Sequence, residues 1–285
     1  MSEIDTYKIL TRFRKPLIEK VIDSLDINPD SRGLDIGCGI GHITNLLANK
    51  TGLKGKTVGL DFSEDLIHYA KKNLTLPDVE FLQGDINHLE FSSNSFDWVW
   101  SMDTVWAGPK EFGCPAENPD KILDQLYRIL KPGGKLYLLF WTSQKFLPGY
   151  PLLEAKLNAS ISANAPYLED MNPYNHVMNG KKWLSNAAFI SVQANSFIGD
   201  IVGPLNENDK RALATFFQML WGNSSKDVSK KDWQKFTEIS LPDSNDFILN
   251  QSDYYGYYTY TLFRGIKPPG GLLIYPPGGS EPPGG

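Results

Sequence analysis

Between residues 33 and 141 short apolar runs alternate with helical stretches, and this alternation restricts the fold more than any other feature of the chain. The runs are GLDIG, KTVGLDF, VEFLQGD, FDWVWSM and KLYLLFW. The segments HITNLLANK, EDLIHYAKKNL and PDKILDQLYRIL between them carry apolar residues at helical spacing. Ser63 stands where a helix N-cap belongs, and KPGG is a helix stop signal before the fifth strand. Parallel strands need crossover connections, so the pattern predicts an α/β fold with a parallel sheet covered on both faces. Ligands of such sheets bind beyond the C-terminal ends of the strands.

The flanking segments predict one domain over residues 1–266, with a core at 26–142. Residues 7–25 read as a helix packing on the core, interrupted at Pro16. After Trp141 the alternation stops. ISVQANSFIGDI reads as a strand, and residues 206–239 turn helical, with Leu213, Phe216, Phe217, Leu220 and Trp221 on one face. YYGYYTYTLFRGI gives a final strand. The inserts at about 143–189 and 203–253 are expected to form an aromatic-rich helical cap. Residues 267–285 repeat PPGG and read as a flexible arm.

Charge and cysteine usage exclude several classes. A net charge of −5 argues against an electrostatic grip on nucleic acid. Cys38 and Cys114 are the two cysteines, so neither a disulfide framework nor zinc-ligand spacing exists, and no metal is expected. The N-terminus lacks the apolar core of a signal peptide, and no apolar run is long enough to span a bilayer. A protein of the reducing cytoplasm, without a membrane span, is expected.

The stretch RGLDIGCGIGH places Gly37, Gly39 and Gly41 at alternate positions after the first strand. The dinucleotide pattern needs Gly or Ala where His42 stands. A carboxylate also ends each of the first three strands: Asp35, Asp61 and Asp85. These groups would repel a pyrophosphate, and no Lys or Arg between Asp35 and Gly41 offsets them. They suit a ligand offering hydroxyls, an amine and positive charge. S-adenosylmethionine (SAM) offers all three. Asp61 would accept from the ribose hydroxyls, Asp85 from the adenine amine, and Asp35 would face the ammonium or sulfonium, directly or through water.

The ordered motifs LDIGCGIGH, VGLDFSEDLI, FLQGDI, FDWVWSM and ILKPGGKLYLLF resemble the class I SAM-dependent methyltransferases, especially the branch with the ubiquinone and menaquinone methyltransferases (methyltransferase type 11). The resemblance implies a Rossmann-like seven-stranded sheet, mostly parallel, with an antiparallel last strand. It makes Gly37, Gly39 and Gly41 the cofactor turn, Asp61 the ribose ligand, and Phe62 an adenine contact. Asp85 and Ile86 would bracket the other edge of adenine, and the Ser101 backbone would meet the methionine end. This chain inserts residues 202–254 between the last two strands, so the acceptor is not carried over with the cofactor.

Asp103, just past the fourth strand, is a candidate general base, and His42 on the first helical turn is a second. Each could equally cap or pack. Trp106 and Trp141 fall near strand ends and could line an acceptor pocket. Cys38 reads as a small buried side chain. No NPPY-like amine-methylation motif follows the fourth strand. The sequence therefore points to a methyltransferase acting on a small, partly apolar molecule. Two alternatives stay open: a SAM-binding sensor or partner-binding protein without turnover, and an NAD-dependent oxidoreductase, which His42 and Asp35 disfavour.

Overall fold

The sheet is built from β1 (Arg32–Ile36), β2 (Lys56–Asp61), β3 (Val79–Gln83), β4 (Phe96–Met102), β5 (Leu130–Lys145), β6 (Ile190–Val202) and β7 (Tyr255–Ile266). In this computed structural model they lie in the order β3-β2-β1-β4-β5-β7-β6. The structure describes residues 2–52, 54–74, 78–109, 114, 115, 118–167 and 171–270. Residues 271–285, most of the expected arm, lie outside the described residues.

The first five strands are parallel, with Leu34 opposite both Val58 and Val99. β7 runs antiparallel to β5. β1 and β4 are buried almost throughout, which is why their sequences are mostly apolar with no strict alternation. Helices α2 (His42–Thr51), α3 (Glu64–Asn73) and α4 (Pro119–Ile129) follow β1, β2 and β4. Ser63 caps α3 by accepting from the Leu66 amide, and Asn118 caps α4 ahead of Pro119 at its first position. α4 buries Ile122, Leu123, Leu126 and Ile129, one stripe at helical spacing.

KPGG ends helix α4 but does not delay the strand. β5 begins at Leu130 opposite Phe96, and its next partner pair is Trp98 with Lys135, so residues 131–134 bulge out between them. Gly133 turns there with φ 79°, and the bulge is tied to the end of β7: Gly133 N donates to Lys267 O and Lys267 N to Gly134 O. The Lys267 ammonium also reaches the carbonyls of Tyr127 and Leu130. Residue 267, at the head of the expected arm, is therefore anchored.

The chain divides into two compact units. The first takes residues 26–140, 174–195 and 261 onward, and holds the parallel strands with α2, α3 and α4. Short helix α7 (Gly180–Asn186) belongs here and packs against α4, while Phe140 meets Trp183 edge-on.

The second unit takes Met1–Leu25, Trp141–Pro173 and Ser196–Tyr260. Its helices are α1 (Glu3–Asp23), α5 (Pro151–Asn158), α6 (Ile161–Asn164), α8 (Glu207–Trp221) and α9 (Lys230–Ser240). Helix α1 packs against α8 within this unit. It runs through Pro16 without a break, contrary to expectation, because Leu17, Ile18, Val21 and Ile22 are buried and outweigh the lost backbone bond. The unit's core is aromatic. Trp141 stacks on Tyr258 at 5.1 Å and 8°, and Phe216 lies 4.9 Å from Trp141. Phe146 touches Phe216, Phe217 and Trp221. The buried Glu154 carboxylate accepts from the Phe146 amide at 2.6 Å, and burial raises its pKa. Among the described residues no helix is long and apolar enough to cross a membrane.

Candidate functional site

The glycine turn joins β1 to α2. Gly37, Gly39 and Gly41 have φ of 74°, 52° and 80°, the left-handed region that other residues rarely adopt. Space adds a second demand. A Cβ on Gly41 would stand 2.6 Å from the Phe81 ring and 2.8 Å from Leu74, and a Cβ on Gly37 would stand 1.9 Å from Thr104 Oγ1. Phe81 belongs to a small core with Cys38, Ile67 and Ala70, so the turn rests on the β2–β3 side of the unit. Cys38 lies buried in that core, and burial raises its thiol far above the usual range.

The amides of the turn are already used within the protein. Gly37 N and Cys38 N both donate to Leu60 O, at 2.8 and 3.0 Å, and Gly41 N donates to Cys38 O. Gly39 N donates to Asp61 Oδ2 at 2.8 Å, and Ser63 N to Asp61 Oδ1 at 3.0 Å. A phosphate cradle needs such amides turned toward the anion. This turn instead presents glycine backbone beside a carboxylate, which fits a nucleoside without a pyrophosphate and argues against a dinucleotide.

The other strand-end residues surround this point in different ways. Phe62, next to Asp61, is 76% exposed, an unusual position for so large an apolar residue. Gln83, at the end of β3, donates to the Phe62 carbonyl and steadies it. Asp85 is exposed, and its Oδ1 accepts from both the backbone and the side-chain amide of Asn87, while Ile86 is buried beside it. Asp35 is 2% exposed and accepts from Thr44 Oγ1 at 2.7 Å. Burial raises its pKa to about 7, the Thr44 bond opposing and the Asp61 charge adding to the shift.

At the end of β4, Ser101 is buried between Ile36 and Leu138, and its Oγ has no hydrogen-bond partner among the described residues. The chain then bends sharply. Asp103 has φ 50°, and its amide donates to Leu139 O on β5. Trp106 is half-buried and meets Phe140 edge-on at 6.2 Å. His42 is the first residue of α2 and half-buried. Trp141 is in the other unit, within the aromatic core around Tyr258. Among the described residues no group of three or more His, Cys, Asp or Glu could hold a metal ion.

Residues 27–218 match the model of a methyltransferase-domain family. The chain belongs to the class I SAM-dependent methyltransferases. SAM is the cofactor of this family, and the strand-end carboxylates, the spent turn amides and the exposed Phe62 fit it. Demethylmenaquinone methyltransferases of Bacillus cereus (strain AH187) and Bacillus anthracis (strain A0248) are each 37% identical over 131 residues, covering 44% of this chain and 51% of theirs. The chain thus spans about half the length of the curated relatives it matches. Among solved structures, a chain from the complex of the Haloferax volcanii Trm112 methyltransferase activator with a methyltransferase is similar over 93% of this chain and 95% of its own, at 19% identity and a TM-score of 0.56. A SAM-dependent methyltransferase from Aquifex aeolicus is similar over 94% and 99%, at 16% identity and a TM-score of 0.50. These two likenesses bear on the fold alone.

Three residues escaped the sequence reading: Thr44, Gln83 and Thr104. Thr44 and Gln83 fall at the first helical turn and at a strand end, positions that could have marked them. Nothing local marks Thr104, whose meeting with Gly37 is tertiary.

Proposed function

We propose that this methyltransferase-domain chain transfers the methyl group of SAM to a small, partly apolar acceptor. The observation that carries the reading is Asp61, held by the Gly39 and Ser63 amides beside the open ring of Phe62. One carboxylate thereby fixes the turn and stands ready for two ribose hydroxyls, while the ring offers a face to adenine. Asp85 and Ile86 would bracket the other edge of the base. The Ser101 backbone and Asp35 would meet the methionine end, with Gly37, Gly39 and Gly41 allowing close approach.

When bound, SAM supplies an activated methyl group on a sulfonium. The chain's own residues then have mainly to position the partners in line and exclude water, a task that needs no catalytic triad. Asp103 lies where an acceptor proton could be taken, with His42 as a second candidate. Trp106, half-buried past the end of β4, offers an apolar face for the acceptor. The net charge of −5 and the quinone-ring substrate in the names of the Bacillus relatives favour a small molecule over nucleic acid. Two cysteines that form no disulfide suit a cytoplasmic setting.

The test is a metabolite screen with methyl-labelled SAM. Label is expected in a low-mass, solvent-extractable product, and label confined to RNA or protein fractions would overturn the small-molecule reading. SAM binding without label transfer to any fraction would overturn turnover and leave a sensor.

A further inference from the structure

Thr104 joins two parts of the sheet unit that the chemistry must keep in register. Its side chain occupies the space beside Gly37: a Cβ there would lie 1.9 Å from Thr104 Oγ1 and 2.7 Å from both Thr104 Cβ and Cγ2. The same hydroxyl donates to the Met102 carbonyl at 3.0 Å. Met102 ends β4, and Asp103, between the two residues, has a left-handed backbone that redirects the chain toward the turn. The bend is secured from β5, because the Asp103 amide donates to Leu139 O at 2.9 Å. It is closed on its far side by the Trp106 amide, which donates to Thr104 O at 2.8 Å.

We propose that the Thr104 hydroxyl is a positioning group that locks the β4 loop onto Gly37 and so sets the cofactor turn. This rests on the reading of Gly37 to Gly41 as the SAM turn. Gly37 and Cys38 hang from a single carbonyl, Leu60 O, on the β2 side. On the β4 side the turn is met by Thr104. A hydroxyl fixed by Met102 O can hold one rotamer there, whereas a free side chain would sample others. Displacement of Gly37 would be passed along the turn to Gly39 and its bond to Asp61. Asp103 and Trp106 flank Thr104, so the same side chain would keep the acceptor-side residues in step with the turn.

The test uses the full chain and three variants, with SAM and S-adenosylhomocysteine affinities from calorimetry and the melting temperature without ligand. Thr104→Val keeps the shape and loses the hydroxyl, Thr104→Ser keeps the hydroxyl, and Thr104→Ala loses both. Val and Ala are expected to weaken SAM binding about fivefold, with Ser within about twofold of the parent and unliganded melting within about 2 °C throughout. Parental affinity in Val, or equal loss in Ser and Ala, overturns the proposal. So does loss of affinity that tracks a fall in unliganded melting temperature, since that marks mere packing. A parent chain that binds no SAM overturns the cofactor reading itself, an outcome distinct from the others.

Discussion

The Gly39 amide points into the Asp61 carboxylate, at 2.8 Å from Oδ2, across twenty-two residues of sequence. A group expected to serve the cofactor is thus also a strut of the turn. Asp61→Ala is expected to weaken SAM binding by about 2 kcal/mol or more, since it removes a charged acceptor and releases the turn amide. Asp61→Asn, which keeps one acceptor oxygen, should fall between that variant and the parent. Unchanged calorimetric affinity in Asp61→Ala would dismiss the assignment.

Phe62 allows a test in which stability and binding separate. Its ring is largely exposed, so Phe62→Ala should leave the melting temperature within about 1 °C of the parent. SAM affinity should fall about fivefold through loss of the stacking face. A stability loss with intact affinity would show that the ring serves packing.

Asp35 makes a statement about pH. Its folded pKa is raised to about 7, whereas the carboxyl of the unfolded chain titrates near about 4. The folded chain therefore holds the proton more tightly. The resulting stability is complete below the unfolded value and is lost as pH rises toward the folded one. Asp35→Asn lacks this loss, so urea unfolding should favour the variant over the parent more at about pH 8 than at about pH 5. A cationic cofactor prefers the ionised carboxyl, so SAM affinity of the parent should rise across the same interval. A difference between variant and parent that is the same at both pH values would place the titration elsewhere.

Gly41→Ala should cost about 2 kcal/mol or more of stability, because φ is 80° and the new methyl meets the Phe81 ring and Leu74. Chemical denaturation measures this directly. A loss below about 0.5 kcal/mol would mean that the turn relaxes freely.

Strand β4 was legible residue for residue, β7 to within one residue, and Ser63 as a cap, because buried strands are rich in apolar residues and caps are local chemistry. The alternating glycines with Asp61 beyond them were legible for the same reason: spacing along the chain carries the signal. Pro16 inside α1 was not, since the burial that holds the helix together comes from other segments. The KPGG bulge depends on a partner at Lys267, far along the sequence. Trp141 reads from sequence as a strand-end residue. Its ring, however, stacks on Tyr258, because β5 continues four residues beyond it to Lys145.

The strand order also dictates a sequence of events in time. β6 bonds to β7 alone, yet β7 is made more than fifty residues later, and it enters between β5 and a strand already synthesised. Until β7 has been made, the thirteen residues of β6 have no strand partner, and Asp200 is their single charged side chain. A growing chain must carry that bare edge through synthesis. Shortening the chain within β7 would leave β6 unpaired, so truncations there should yield aggregates and not a smaller soluble protein.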